Sequence, residues 1–141
     1  MKLLEYRWRP ANDYLQLAPW EELFRLTEYW KNELAFYEDE LHFFEDLIII
    51  NETDSDKDTQ QLKQFIRDMF LQLRSLMIQT DQHLAHIGKI IKESDNNDDL
   101  LFREEHNVLE DNILAFERFF RELKQKLFKT VGKRVNPAVN R

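Results

Sequence analysis

Cysteine is absent from this chain of 141 residues. Its absence excludes disulfide bonds, thiol nucleophiles, zinc sites built on thiolates and iron–sulfur clusters. A chain without cysteine fits a reducing compartment, so we expect a cytoplasmic protein. The first ten residues, MKLLEYRWRP, are too polar for a signal peptide, which agrees with that expectation.

Turn-forming residues are also scarce, with two glycines and three prolines. This composition argues against an all-β sandwich or a doubly wound α/β fold, both of which need many turns. Gly88 and Gly132 are too far apart to build a glycine-rich phosphate loop. No apolar run approaches the ~20 residues of a membrane span, so we predict no membrane association.

The net charge is −7 at pH 7, which argues against a general affinity for nucleic acid. The charge is unevenly spread, because residues 118–141 contain eight basic side chains and one acidic side chain. Acidic residues are dense in 38–58, and an antiparallel helical bundle would bring the two regions together. We therefore expect the basic region to be neutralised within the molecule and predict no nucleic-acid partner.

The densest apolar pattern is the stretch WKNELAFYEDELHFFEDLIII at residues 30–50. On a helix its large side chains form a core seam spaced alternately by four and three residues. A second column repeats every seven residues beside this seam. Together the two sets span an arc of roughly 200°, which must be covered from more than one side. The seam is Trp30, Leu34, Tyr37, Leu41, Phe44 and Ile48; the second column is Tyr29, Phe36, Phe43 and Ile50.

Helical periodicity recurs in two later segments, separated by short polar loops. We predict an all-α, elongated antiparallel bundle of three long helices, at about 19–50, 56–93 and 97–131, in a single domain. Pro19 favours a helix start, and Gly132 followed by Pro137 favours a helix end and a flexible tail over 132–141. Apolar and polar side chains alternate over residues 4–9, which predicts that residues 1–18 form an extended N-terminal arm.

The wide arc of the first helix predicts an interface. Two partner helices do not readily cover it, so the arm or a second subunit would be needed. We therefore predict a homodimer or another protein partner. The predicted interface residues are Tyr6, Trp8, Tyr14, Tyr29, Phe36, Phe43 and Ile50.

Four polar residues fall inside the predicted core arcs, where burial without a partner is costly. Thr80 and Asn112 are expected to face each other as a hydrogen-bonded layer that fixes helix register. Glu33 and Glu40 are each expected either to pair with a long basic side chain or to bury the stem of the side chain while the carboxylate reaches water at the edge of the arc. For Glu40 there are three candidate basic partners. The candidates are Arg67, Arg74 and Lys126.

The alternative for the polar positions is a metal site inside the bundle, with Glu33, His83, Glu105 and His106 as ligands. Carboxylates and imidazoles suit a transition metal ion such as zinc, iron or manganese. The spacing differs from that of di-iron bundles, in which a Glu precedes a His by three residues on each of two helices. We therefore expect no cofactor.

No motif indicates catalysis. Glu33 and Glu40 would lie ~10 Å apart along one helix, too far for a coupled carboxylate pair, and no Ser or Thr sits beside a His as a nucleophile and base would. We predict no enzymatic activity and a structural or protein-interaction role with self-association. The alternative function is a metal- or small-ligand-binding bundle.

Overall fold

The computed structural model describes residues 18–50, 57–93 and 99–135. These residues form three α-helices: α1 (Trp20–Ile50), α2 (Lys57–Glu93) and α3 (Asp99–Val135). The predicted all-α bundle of three long helices is thereby confirmed, and the predicted bounds of α1 and α2 are correct to within one residue. The predicted arm and the end of the predicted tail, residues 1–17 and 136–141, lie outside the described part of the chain.

Each helix is antiparallel to the next. Lys31 forms an ion pair with Asp81, and the ring of His42 contacts the ring of Phe70, so residue numbers rise along α1 as they fall along α2. His83 contacts His106 while Lys126 lies over the ring of Phe65, which gives the same relation between α2 and α3. The helices α1 and α3 are therefore parallel, and residues about 80 apart lie side by side.

The core is the set of seam residues that the helical spacing predicts. Trp30, Phe44 and Phe116 are fully buried, and burial of such large rings supplies much of the hydrophobic stabilisation. A smaller cluster at one end joins the start of α1 to the end of α2 and the start of α3. It consists of Ala18, Leu23, Ile87, Ile90 and Phe102.

Aromatic rings fill the space between α1 and α3. Tyr37 contacts Phe116 and Phe120 at ring distances of 5.5 and 4.6 Å, and Phe44 contacts Phe120 at 5.7 Å. The backbones of these two helices come close at few positions, whereas α2 approaches both of its neighbours along much of its length. The helices α1 and α3 therefore pack together mainly through large aromatic side chains and not through close approach of their backbones.

The predicted end of the third helix is wrong, because α3 continues through Gly132 to Val135. A glycine within a helix costs only about 1 kcal/mol relative to alanine. Val131, just before it, is buried in the core and holds the last turn in place. None of the three described helices contains a stretch long and apolar enough to cross a membrane.

Candidate functional site

Two buried histidines meet where α2 packs on α3. The Nε2 atom of His83 lies 2.8 Å from the Nδ1 atom of His106, which is hydrogen-bonding distance. His83 is 6% exposed and His106 is fully buried. One ring must donate its N–H and the other must accept through a lone pair, so at least one imidazole is neutral.

Aromatic rings from α1 and α3 cover the pair. Phe102 stacks on His83 at 4.2 Å with an interplanar angle of 10°. Trp30 stacks on His106 at 4.7 Å with an angle of 30°. One aromatic ring therefore covers a face of each imidazole, and the two imidazoles are tilted by 33° to each other. Trp30 already belonged to the predicted seam, but nothing in the spacing indicated that it would cover a histidine.

Burial keeps both imidazoles neutral. Burial, with a smaller contribution from the nearby His86, lowers the pKa of His83 to about 4. Burial likewise lowers the pKa of His106 to about 3, with smaller contributions from His83 and Arg103. The second nitrogen of His106, Nε2, is buried without a hydrogen-bond partner among the described residues. Protonation of either ring would place a charge in this apolar stack, which is why the neutral forms prevail.

The structure brings together only two of the four predicted metal ligands. Glu105 is exposed and approaches His86 on the surface, with 3.8 Å between Oε2 and Nδ1. Glu33 is half-buried on α1. Burial raises the pKa of Tyr37, and the negative charges of Glu117 and Glu33 also raise it. Among the described residues no group of three or more His, Asp or Glu side chains could hold a metal ion. A zinc site needs at least three protein ligands, so the pair alone does not make one.

The predicted layer of Thr80 and Asn112 is wrong. Thr80 is fully buried, but its hydroxyl donates to the carbonyl oxygen of Leu76 at 2.7 Å, within its own helix. Asn112 is exposed, because it shares a column of α3 with Glu105 and Phe119 that no described element covers. Thr27 is a second buried threonine, which the sequence analysis missed. Its hydroxyl donates to the carbonyl oxygen of Leu23 at 2.7 Å.

Glu40 has a basic partner, but it is none of the three predicted. Its Oε2 atom lies 3.5 Å from the Nζ atom of Lys124 on α3. Lys126 points instead toward α2, where it lies 5.5 Å from the ring of Phe65. The side chains of Lys124 and Glu40 are 45% and 24% exposed, so this ion pair bridges α1 and α3 near the surface.

An exposed aromatic stripe runs along α1. Tyr29, Phe36 and Phe43 are 45%, 60% and 57% exposed and recur every seven residues. Phe128 of α3, which is also half-exposed, packs edge-on against Phe44 close to Phe43. Of the other predicted interface residues, Tyr6, Trp8 and Tyr14 lie outside the described residues, as does the side chain of Ile50.

An open groove of about 550 Å³ lies between α2 and α3 on the side away from α1. His83 and His86 contribute to its α2 wall, and Glu105 contributes to its α3 wall. The remaining lining consists of two amide side chains, one carboxylate and three apolar side chains. It comprises Gln79, Gln82, Leu101, Glu104, Val108 and Leu109.

Comparison with known proteins gives no relative: no family model, no curated protein and no solved structure matches the chain.

Proposed function

We propose that this protein is a non-enzymatic helical-bundle module that binds protein, itself included, through the aromatic stripe of Tyr29, Phe36 and Phe43. The observation that carries the proposal is the exposure of three large rings in one column. Aromatic residues are enriched at the centres of protein interfaces. Contiguous exposed apolar surface is typical of interaction sites.

The polar groups of the core support a role without catalysis. The hydroxyls of Thr27 and Thr80 donate to main-chain carbonyls, and each imidazole of the buried pair is hydrogen-bonded to the other. None of these groups is thereby poised as a nucleophile with its base.

The exposed ring area is large enough to favour association. A phenylalanine ring buries 150–250 Å², so covering the exposed 60% of Phe36 removes roughly 100–150 Å² from water. At about 25 cal/mol per Å², that contributes on the order of 3 kcal/mol. Tyr29 and Phe43 together contribute a similar amount or more. Association itself costs an estimated 4–15 kcal/mol, so further contacts around the stripe must contribute to a stable complex.

Light scattering on two matched variants tests the proposal. Phe36→Ser/Phe43→Ser removes two rings of the stripe, and Leu71→Ser/Ile78→Ser removes two equally exposed apolar side chains, also seven residues apart, from α2. We expect the wild type and the α2 variant to self-associate and the stripe variant to be monomeric, with all three equally helical by circular dichroism. Equal masses for the two variants would contradict the assignment of the interface to the stripe.

The second candidate function is the binding of a transition metal ion, which would need ligands in addition to the histidine pair. Imidazole nitrogens are common ligands for zinc and iron, and His106 offers a second nitrogen with no hydrogen-bond partner among the described residues. Metal analysis of protein purified without a nickel column tests this candidate. A stoichiometric metal that is lost in both His83→Ala and His106→Ala would establish it; metal-free, folded protein would eliminate it.

A further inference from the structure

Opposite charges lie side by side on the face between α1 and α3. Residues 38–46 of α1 carry five acidic side chains and no lysine or arginine, whereas residues 118–126 of α3 carry four basic side chains and one acidic side chain. The ion pair of Glu40 with Lys124 and the contact of Phe44 with Phe120 show that the two segments are at the same level. At this level the face is therefore divided into an acidic half on α1 and a basic half on α3.

The aromatic stripe belongs to the acidic half. Lys31 and His42 mark the side of α1 that faces α2, and Glu40 marks the side that faces α3. At 100° per residue, the stripe lies some 40° beyond Glu40 and well over 100° from the α2 side. The rings therefore point outward from the face shared with α3. Asp39 and Asp46, both exposed, follow along the outer edge of the stripe.

The basic half has its own outward-pointing residues. Lys124 and Phe128 mark the side of α3 that faces α1, while Lys126 marks the side that faces α2. By the same helical spacing, Arg121 lies about 20° from Phe128, and Arg118 lies about 80° from both Phe128 and Lys126, so that it points away from both neighbouring helices. Both arginines are exposed. They are level with Phe36, Asp39 and Phe43 of α1, because a residue of α1 lies beside the residue of α3 whose number is about 80 higher.

We infer that the partner of the aromatic stripe is a second copy of this chain, bound parallel to the first, with α1 of each copy lying on α3 of the other. This arrangement rests on the self-association proposed above. A two-fold axis parallel to the helices places α1 of one copy opposite α3 of the other. Each acidic, aromatic half then meets a basic half at the same level. An axis across the helices would instead set α1 against α1 and acid against acid.

The contacts of the parallel dimer are chemically matched. The guanidinium groups of Arg118 and Arg121 reach the faces of Phe36 and Phe43 in the other copy, a favourable cation–π arrangement. The same arginines lie within reach of Asp39. Each contact occurs twice, as the two-fold symmetry of an isologous interface requires. Opposite charges placed across an interface select the partner and its orientation more than they raise affinity.

Distances between spin labels test the arrangement, and the lack of native cysteine allows one label per chain. We choose Glu28→Cys, Ala35→Cys and Ile49→Cys, three exposed positions on α1 outside the stripe. In the parallel dimer all three give nearly the same distance between copies. In an antiparallel dimer the two labels are separated along the helix direction, and this separation grows by about 3 Å for each residue between the labelled position and the symmetry axis. The three sites then cannot share one distance.

The outcomes separate this inference from the proposed function. Equal distances at the three sites support the parallel dimer. Unequal distances in a protein that self-associates through the stripe overturn the arrangement and leave the proposed function intact. A monomer in light scattering overturns both.

Charge reversal on α3 gives a second test. Arg118→Glu/Arg121→Glu places negative charge against the acidic half of the other copy. We expect the dissociation constant of the dimer to increase at least tenfold. The matched control is Arg67→Glu/Arg74→Glu, two exposed arginines seven residues apart on α2. An equal effect of the two variants would contradict a specific contact between α1 and α3 of different copies.

Discussion

The buried pair of His83 and His106 predicts that the bundle loses stability in mild acid. In the unfolded chain both imidazoles titrate near the ordinary pKa of about 6.5. In the folded protein burial lowers the pKa to about 4 for His83 and about 3 for His106. Below pH 6.5 the unfolded state therefore binds protons that the folded state does not, and stability falls as the pH falls.

The size of the effect follows from the two pKa shifts. Between pH 7.5 and pH 5.0 each histidine lowers the free energy of unfolding by about 2 kcal/mol, so the pair lowers it by on the order of 4 kcal/mol. The loss begins near pH 7 and is complete only below the folded-state pKa values of about 3 and 4. A domain of this kind has a total stability of about 5–15 kcal/mol, so the loss is readily measured.

Urea denaturation followed by circular dichroism, at pH 7.5 and at pH 5.0, measures the loss. The test variant is His83→Gln/His106→Gln, whose side chains can still hydrogen-bond but do not titrate. The control is His42→Gln, which changes an exposed histidine on α1. The loss of stability that protonation of carboxylates causes is the same in all three proteins. We expect the wild type and the control to lose on the order of 4 kcal/mol more than the double variant does. Equal losses in all three proteins would refute the assignment of buried, neutral imidazoles.

Two further predictions concern the packing of α3. Phe116→Ala, which removes a fully buried ring, should lower the free energy of unfolding by about 3–5 kcal/mol, whereas Phe119→Ala, at a half-exposed ring, should cost about 1 kcal/mol or less. If urea denaturation gave similar decreases in the free energy of unfolding for the two variants, the assignment of the core seam would be wrong. Gly132→Ala should stabilise the protein by about 0.5–1 kcal/mol, because the position is helical and an added Cβ would meet no atom within 4 Å. A lower melting temperature for that variant would contradict the helical end of α3.

The sequence predicted features that depend on local spacing and missed those that depend on where a third helix lies. The seam of Trp30, Phe44 and Phe116 was predictable because burial follows the helical period in each segment. Asn112 satisfies the same period, but its column faces a side of α3 that no described element covers. The partner of Glu40 was missed for a similar reason, since it depends on which side of α3 faces α1.

The histidine pair was predicted only in part. The antiparallel register brings residues near 83 and 106 to the same level, so their proximity follows from the loop between α2 and α3. Their direct hydrogen bond depends on rotations of a few tens of degrees about each helix axis, which the spacing does not specify. The burial of the pair between Phe102 and Trp30 depends on the same rotations. The ligand set that included Glu33 and Glu105 therefore could not be tested from the sequence.

Sedimentation equilibrium of the wild-type chain is the most direct test of the central claim, that the aromatic stripe on α1 is a self-association surface. The chain has a mass of 17.3 kDa. We predict a monomer–dimer equilibrium that reaches twice this mass at micromolar concentrations, and Phe36→Ser/Phe43→Ser should abolish it. A wild-type chain that keeps its monomer mass throughout the concentration range would contradict the claim.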